Sequence, residues 1–386
     1  MKVNIRRIIL FALLSLSTAC NSDAPNGNKE EQQGALSVEV ADFGKTEEGA
    51  AKLYTLKNKN GMQVEITNYG GIITRLMAPD KEGKFDDIVL GFDNLADYQK
   101  DHPYFGAIIG RYGNRIARGK FFIDGQKYSL AANNGLNALH GGPTGFHKHL
   151  WKAREINREG FAGLELSRVS PDMEEGYPGT LNATVRYLLN NENELLIEYE
   201  ATTDKPTIVN LTNHSYFNLK GAGKGDILGH ELRINADYFT PVDSTLIPTG
   251  ELRPVEGTPF DFNTPTPIGK RINDKNQQLE FGLGYDHNFV LDRQGPGLEL
   301  AASVYEPTSG RFMEVLTTEP GLQFYSGNFL DGTNIGKNAV KYDYRAGFCL
   351  ETQHYPDSPN EPDFPSTVLR PGEKYQTETM YRFSVK

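Results

Sequence analysis

Cysteine is nearly missing from these 386 residues, which hold two, Cys20 and Cys349. Neither a disulfide framework nor a cysteine metal cluster can be built from that pair, and Cys349 reads as a small buried residue. Excess positive charge is missing too. A formal net charge of −10 argues against nucleic acid as a partner. Beyond Ile8–Leu16, itself too short to span a bilayer, no long apolar run occurs. Helical periodicity is scarce, with only "NLADYQKD" and "INDKNQQLEF" suited to short helices.

What the chain does have is β-texture. Alternating segments are punctuated by turn residues, consistent with 40 glycines and 21 prolines. Asn60-Gly61 and Asp124-Gly125 mark hairpins, and Asn190–Asn193 joins two further β-rich runs. From residue 36 to 386 the texture is uniform, with no internal repeat and no second linker. The expected fold is all-β, a large antiparallel sandwich in one domain with few short helices. Aromatic content of 11%, mostly Phe and Tyr, suits β-structure and also suits surfaces that pack against the C–H faces of sugars.

The first 19 residues have the layout of a targeting segment. Lys2, Arg6 and Arg7 precede the apolar run, and Ser17, Thr18 and Ala19 lead to Cys20. The pattern resembles a bacterial lipoprotein signal, which implies lipidation of Cys20, export, and attachment to an envelope membrane by that anchor alone. Residues 20–35, polar and broken by Pro and Gly, read as a flexible tether.

Chemistry-bearing residues gather in a few motifs. In "NLTNHSYFNLKG", read as a strand, Thr212, His214, Tyr216 and Asn218 share one face. In "GFCLETQHYPDSPN", Glu351 shares a face with Cys349 and Gln353, and His354 could orient it. Asn114 and Arg115 stand between glycines in "GRYGNRIARG". His140 closes "NALHGG", Asp286 precedes His287 in "GYDHNFVL", and Gln323 sits among aromatics. His140, His147 and His149 could suggest a metal, but Lys148 between the last two opposes a divalent ion. Asp80, Asp86, Asp87 and the acidic loop 357–363 could hold calcium, although no EF-hand spacing is present.

Taken in order, "GNRIARGKF", "NALHGG", "NLTNHSYFNLKG", "GYDHNFVL", "PGLQFYSGNFLDG" and "LETQHYPDSPN" resemble the aldose 1-epimerases, or galactose mutarotases, from about residue 40 to the C-terminus. The resemblance implies a β-supersandwich that interconverts sugar anomers, with Glu351 as catalytic base and His214 as general acid. It implies substrate binding by Asn114, Arg115, His140, Tyr216, Asp286 and Gln323. It further implies a small aldose substrate and no required cofactor or metal; the chain is expected to be a monomer. Two alternatives stay open: a glycoside hydrolase using Glu351 with Asp286, and a non-catalytic sugar-binding lipoprotein.

Overall fold

The computed structural model describes residues 35–386. The expected leader, Cys20, and the expected tether up to residue 34 lie outside the described residues.

Alternation builds the largest sheet. In Leu181–Asn190, Leu181, Ala183, Val185, Tyr187 and Leu189 point inward while Asn182, Thr184 and Arg186 do not. This strand belongs to a nine-stranded sheet ordered Lys152–Arg158, Phe161–Ser170, Leu181–Asn190, Glu194–Thr203, Tyr375–Val385, Arg311–Thr317, Glu299–Tyr305, Glu231–Ile234 and Thr266–Pro267. Its ladders are antiparallel. The C-terminal strand lies in the middle and so joins the two halves of the chain. On the solvent side, Arg186 bonds Glu165 at 2.8 Å and Glu200 at 3.0 Å, and Arg154 bonds Glu165 at 2.6 Å. Each such partly exposed pair adds little by itself, but the alternating signs leave a soluble outer face.

The inner face buries one continuous core against two five-stranded sheets. The first runs in chain order through Ser37–Thr46, Gly49–Lys57, Gln63–Thr67, Ile72–Pro79 and Phe85–Asp87. The second is ordered Arg253–Pro254, Tyr238–Phe239, Asp286–Val290, Gly321–Tyr325 and Cys349–Gln353. Leu56 and Ile66 from the first, Leu164 and Ile197 from the large sheet, and Phe289, Phe324 and Leu350 from the second all fall in that core. The expected all-β antiparallel sandwich is therefore the observed architecture.

Both short helices form. Asn94 caps Leu95–Tyr98, and Asn276 caps Gln277–Gly282, each side chain accepting a backbone N–H. Asp124-Gly125 is a two-residue hairpin turn with φ of 50° and 80°, the conformation of a type I′ turn. Asn60-Gly61 lies instead in a longer loop between Lys57 and Gln63. Asn58 organises this loop by accepting from the Asn60 and Met62 N–H groups, at 3.0 Å each.

Four of the acids that could hold calcium have other partners. Lys337 Nζ lies 2.5 Å from Asp87, and Arg311 lies 3.2 Å from Asp86. Asp80 accepts from the N–H groups of Glu82 and Lys84 at 2.9 Å each. Asp357, which opens the acidic loop 357–363, is 2% exposed. Its Oδ1 accepts from Ala117 N–H at 2.9 Å and from Asn360, and its own N–H donates to Arg115 O at 2.9 Å. It clamps the loop that carries Asn114 and Arg115.

Burial pushes the Asp357 carboxyl up to about 6, against the donors from Ala117 and Asn360, which lower it. A carboxyl that is harder to ionise when folded adds most stability below its unfolded value near 3.8. That stability is lost as pH rises through about 6. Asp357→Asn keeps the accepting oxygen and tolerates the positive φ of 57°. The variant is expected to be about 2 kcal/mol more stable than the parent at pH 8 and close to equal near pH 4. Urea unfolding at the two pH values checks this. Equal midpoints at pH 8 would rule it out.

Candidate active site

The second five-stranded sheet carries the polar floor of the site, and its register explains how. Asp286 pairs with Tyr325, which pairs with Cys349. Asn288 pairs with Gln323, which pairs with Glu351. These six side chains lie in two cross-strand rows on one face, while His287, Phe289, Leu322, Phe324 and Leu350 turn into the core. Opposite that floor stand the 104–115 and 134–140 loops and residues 214–216. Arg111, 2% exposed, braces the first of these loops by donating to Ser170 Oγ at 2.7 Å and Gly179 O at 2.8 Å.

Between them is a cavity of about 600 Å³, within the range of small-molecule sites. Asn114, Arg115, His140, His214, Tyr216, Asp286 and Glu351 all line it. Gln323 does not. It is 2% exposed and its Nε2 donates to Asp286 Oδ1 at 2.7 Å, so it holds Asp286 instead of facing the cavity. Arg115 approaches the other Asp286 oxygen at 3.6 Å, and Arg115 Nε donates to Asn134 at 3.0 Å.

The residues 210–221 do not form one strand. Only Thr212–Asn213 pair regularly, with Ile108–Ile109, and Phe217 bridges to Val89 and Phe348. His214 and Tyr216 reach the cavity, but Asn218 turns away and donates to Gly225 O and Ala346 O. His354 pairs with Glu319 at 2.7 Å and so does not orient Glu351. Of the "HGGPTGFHKH" histidines, His140 enters the site, His147 packs against Tyr104, and His149 bonds Glu48 at 2.7 Å.

His214 Nε2 lies 3.6 Å from Glu351 Oε1, with both side chains buried. Glu351 Oε2 is buried without a hydrogen-bond partner. Burial raises the Glu351 carboxyl well above its ordinary value, the Asp286 charge raises it further, and Arg115 opposes both. Burial also pushes His214 down to about 3. Both groups are thus driven towards their neutral forms, and between them they can hold a single transferable proton.

Asn114 has φ of 62°, which turns its N–H onto His140 Nδ1 at 3.1 Å. Burial holds His140 well below its usual value, so it is neutral, and with Nδ1 accepting its proton sits on Nε2. His140, His214 and Glu351 present atoms within 4.8 Å of one another, a spacing that metal triads also use. A protonated Nε2 on His140 suits an oxygen acceptor and not a metal ion.

Sequence reasoning missed several lining residues. Tyr104, with φ of 61°, wedges its ring between His140 at 4.7 Å and His147 at 4.8 Å, and it also meets His214 at 5.7 Å. Phe281, Tyr325 and Phe329 form an apolar side of the cavity, where Tyr325 and Phe329 stack. In the run "HPYFG" nothing sets Tyr104 apart from the neighbouring Phe105.

The family model described as aldose 1-epimerase matches residues 52–382. The galactose mutarotase of Sus scrofa is 48% identical over 352 residues, covering 91% of this chain and 99% of that protein. The aldose 1-epimerase of Escherichia coli K12 is 40% identical over 334 residues, 86% of this chain and 95% of that one. The crystal structure of galactose 1-epimerase from Lactobacillus acidophilus NCFM superposes with a TM-score of 0.81 at 30% identity, covering 91% of this chain and 99% of its own. With this cavity, this fold and these relatives, the chain belongs to the aldose 1-epimerase family.

Proposed function

We propose that the protein interconverts the α and β anomers of free aldohexoses such as glucose and galactose. Glu351 takes the proton of the C1 hydroxyl. As the C1–O5 bond breaks, O1 becomes the aldehyde oxygen and His214 gives a proton to O5. Rotation about C1–C2 presents the other carbonyl face, and the two transfers run in reverse to close the ring. The pair ends as it began, so atoms and charge balance without a cofactor.

The observation that carries this reading is the buried 3.6 Å approach of His214 Nε2 to Glu351 Oε1. Neutral acid with neutral imidazole, and carboxylate with imidazolium, are two arrangements of one proton, so their ratio does not depend on pH. Hydroxyls donated by a bound sugar to Glu351 favour the charge-separated form. His140 offers its Nε2–H to a substrate oxygen, Arg115 adds donors, and Asp286 accepts from ring hydroxyls. Polarimetry of freshly dissolved α-galactose is the test. Decay of rotation no faster than in buffer would sink the proposal.

A glycosidase would need Asp286 as a second working carboxyl. Asp286 is instead occupied by Gln323 and Arg115, which favours the epimerase. A sugar-binding protein without activity would not require an acid beside a base.

We also infer that the chain is an exported, monomeric lipoprotein, anchored at Cys20 to an envelope membrane with residues 20–35 as tether. Support for export and the anchor comes from the basic residues, apolar run and cysteine of residues 1–20. Cys20→Ala is expected to move the protein from the membrane fraction to the soluble one. Unchanged membrane recovery would exclude the anchor.

A further inference from the structure

Three asparagines precede His140 in "NNGLNALHGG", and the fold gives each a different task. Asn133 Oδ1 accepts from Leu139 N–H at 2.7 Å, and its Nδ2 donates to Leu139 O at 2.9 Å. Asn137 is buried; it accepts from Arg118 N–H at 2.9 Å and donates to Thr245 Oγ1 at 3.1 Å. The backbones of Asn134 and Asn137 exchange two bonds of 3.0 Å across a tight turn, in which Gly135 has φ of 60°. Asn133 and Asn137 thus pin the turn in place. Asn134 lines the cavity, and its Oδ1 accepts from Arg115 Nε at 3.0 Å.

We infer that Asn134 is a positioning residue for Arg115: by holding Nε it sets the plane of the guanidinium and presents the rest of the fork to the sugar. Nε is held by Asn134, and Nη2 lies 3.6 Å from Asp286 Oδ2, so the planar group is fixed at two points. Among the described residues Nη1 makes no hydrogen bond, which leaves its N–H groups for a substrate oxygen. A guanidinium on a long, freely rotating stem would otherwise have to be ordered at the moment of binding, and that ordering weakens affinity. Asn134 meets this cost in advance, in the folded protein. The turn that leads to His140 therefore also aims Arg115, which comes from a separate loop.

The effect on affinity rests on the epimerase reading of the cavity, but the contact belongs to the sugar-free protein and is measured separately. Exchange of the Arg115 Nε–H with water, followed in ¹H–¹⁵N spectra and assigned with Arg115→Lys, reports that contact. Slow exchange is expected in the parent and in Asn134→Asp, which keeps the accepting oxygen, and faster exchange in Asn134→Ala and Asn134→Leu. In mutarotation of galactose the Ala and Leu variants are expected to raise KM about five- to tenfold, the scale of one hydrogen bond, with kcat within about twofold. Asn134→Asp should restore most of the affinity. In an Arg115→Lys background Asn134→Ala should raise KM by no more than about twofold further, because its partner is already gone. Fully multiplicative losses there would overturn the inference and make Asn134 a sugar contact in its own right. Parent-like exchange and KM in Asn134→Leu would overturn it as well, as would a fall in kcat with KM unchanged, which would make Asn134 only a part of the turn. A parent without epimerase activity would sink the functional reading, while the exchange rates still decide the contact.

Discussion

Glu351→Gln is expected to lower kcat for anomerisation by about 10²–10⁴-fold, the usual worth of a positioned acid or base. The substitution keeps the side chain's length and shape and removes its capacity to take a proton. Substrate contacts through Arg115, Asp286 and His140 remain, so KM should change little. The variant should also fold. Glu351 is buried with one oxygen unpartnered and Asp286 nearby, an environment that disfavours a charge, and the neutral amide relieves that cost. Expected results are therefore a nearly dead enzyme with a melting temperature at or above that of the parent. A rate within threefold of the parent would mean that Glu351 is not the base.

His214→Asn is expected to cost a similar factor, again with KM largely kept. An asparagine amide can still offer an N–H towards O5, but it cannot surrender that proton near neutrality. The informative measurement is the double variant. Acid and base act in one exchange, so losing the second partner should add no more than a few-fold to the damage done by the worse single change. Fully multiplicative losses would show the two residues working in independent steps and would break the proposed scheme.

Much of the architecture is legible in the chain because its signals are local. Strand alternation in Leu181–Asn190 and the Asp124-Gly125 turn depend on residues next to one another, and both appear as expected. The 210–221 stretch shows where locality ends. Its alternating polar residues imitate a strand, yet Asn218 is drawn off by the carbonyls of Gly225 and Ala346. The site residues were legible as motifs, but not the partners that divide them into those that meet the cavity and those that serve a neighbour. Gln323 serves Asp286 because the strand register sets it one row from that carboxylate, and register is a non-local property. His354 was drawn to the nearest acid in sequence, whereas the fold offers it Glu319. Tyr104 reaches three histidines only through a backbone turn that no neighbouring residue announces.

The alternation of Cys349–Gln353 also limits how this enzyme can change over time. Cys349 and Glu351 face the sugar side while Leu350 faces the core. Inserting or deleting a single residue between them would push a carboxylate into hydrocarbon and a leucine into the catalytic chamber. Lineages carrying this strand can therefore explore new sugars by exchanging side chains there, and must leave changes of length to the loops at its ends.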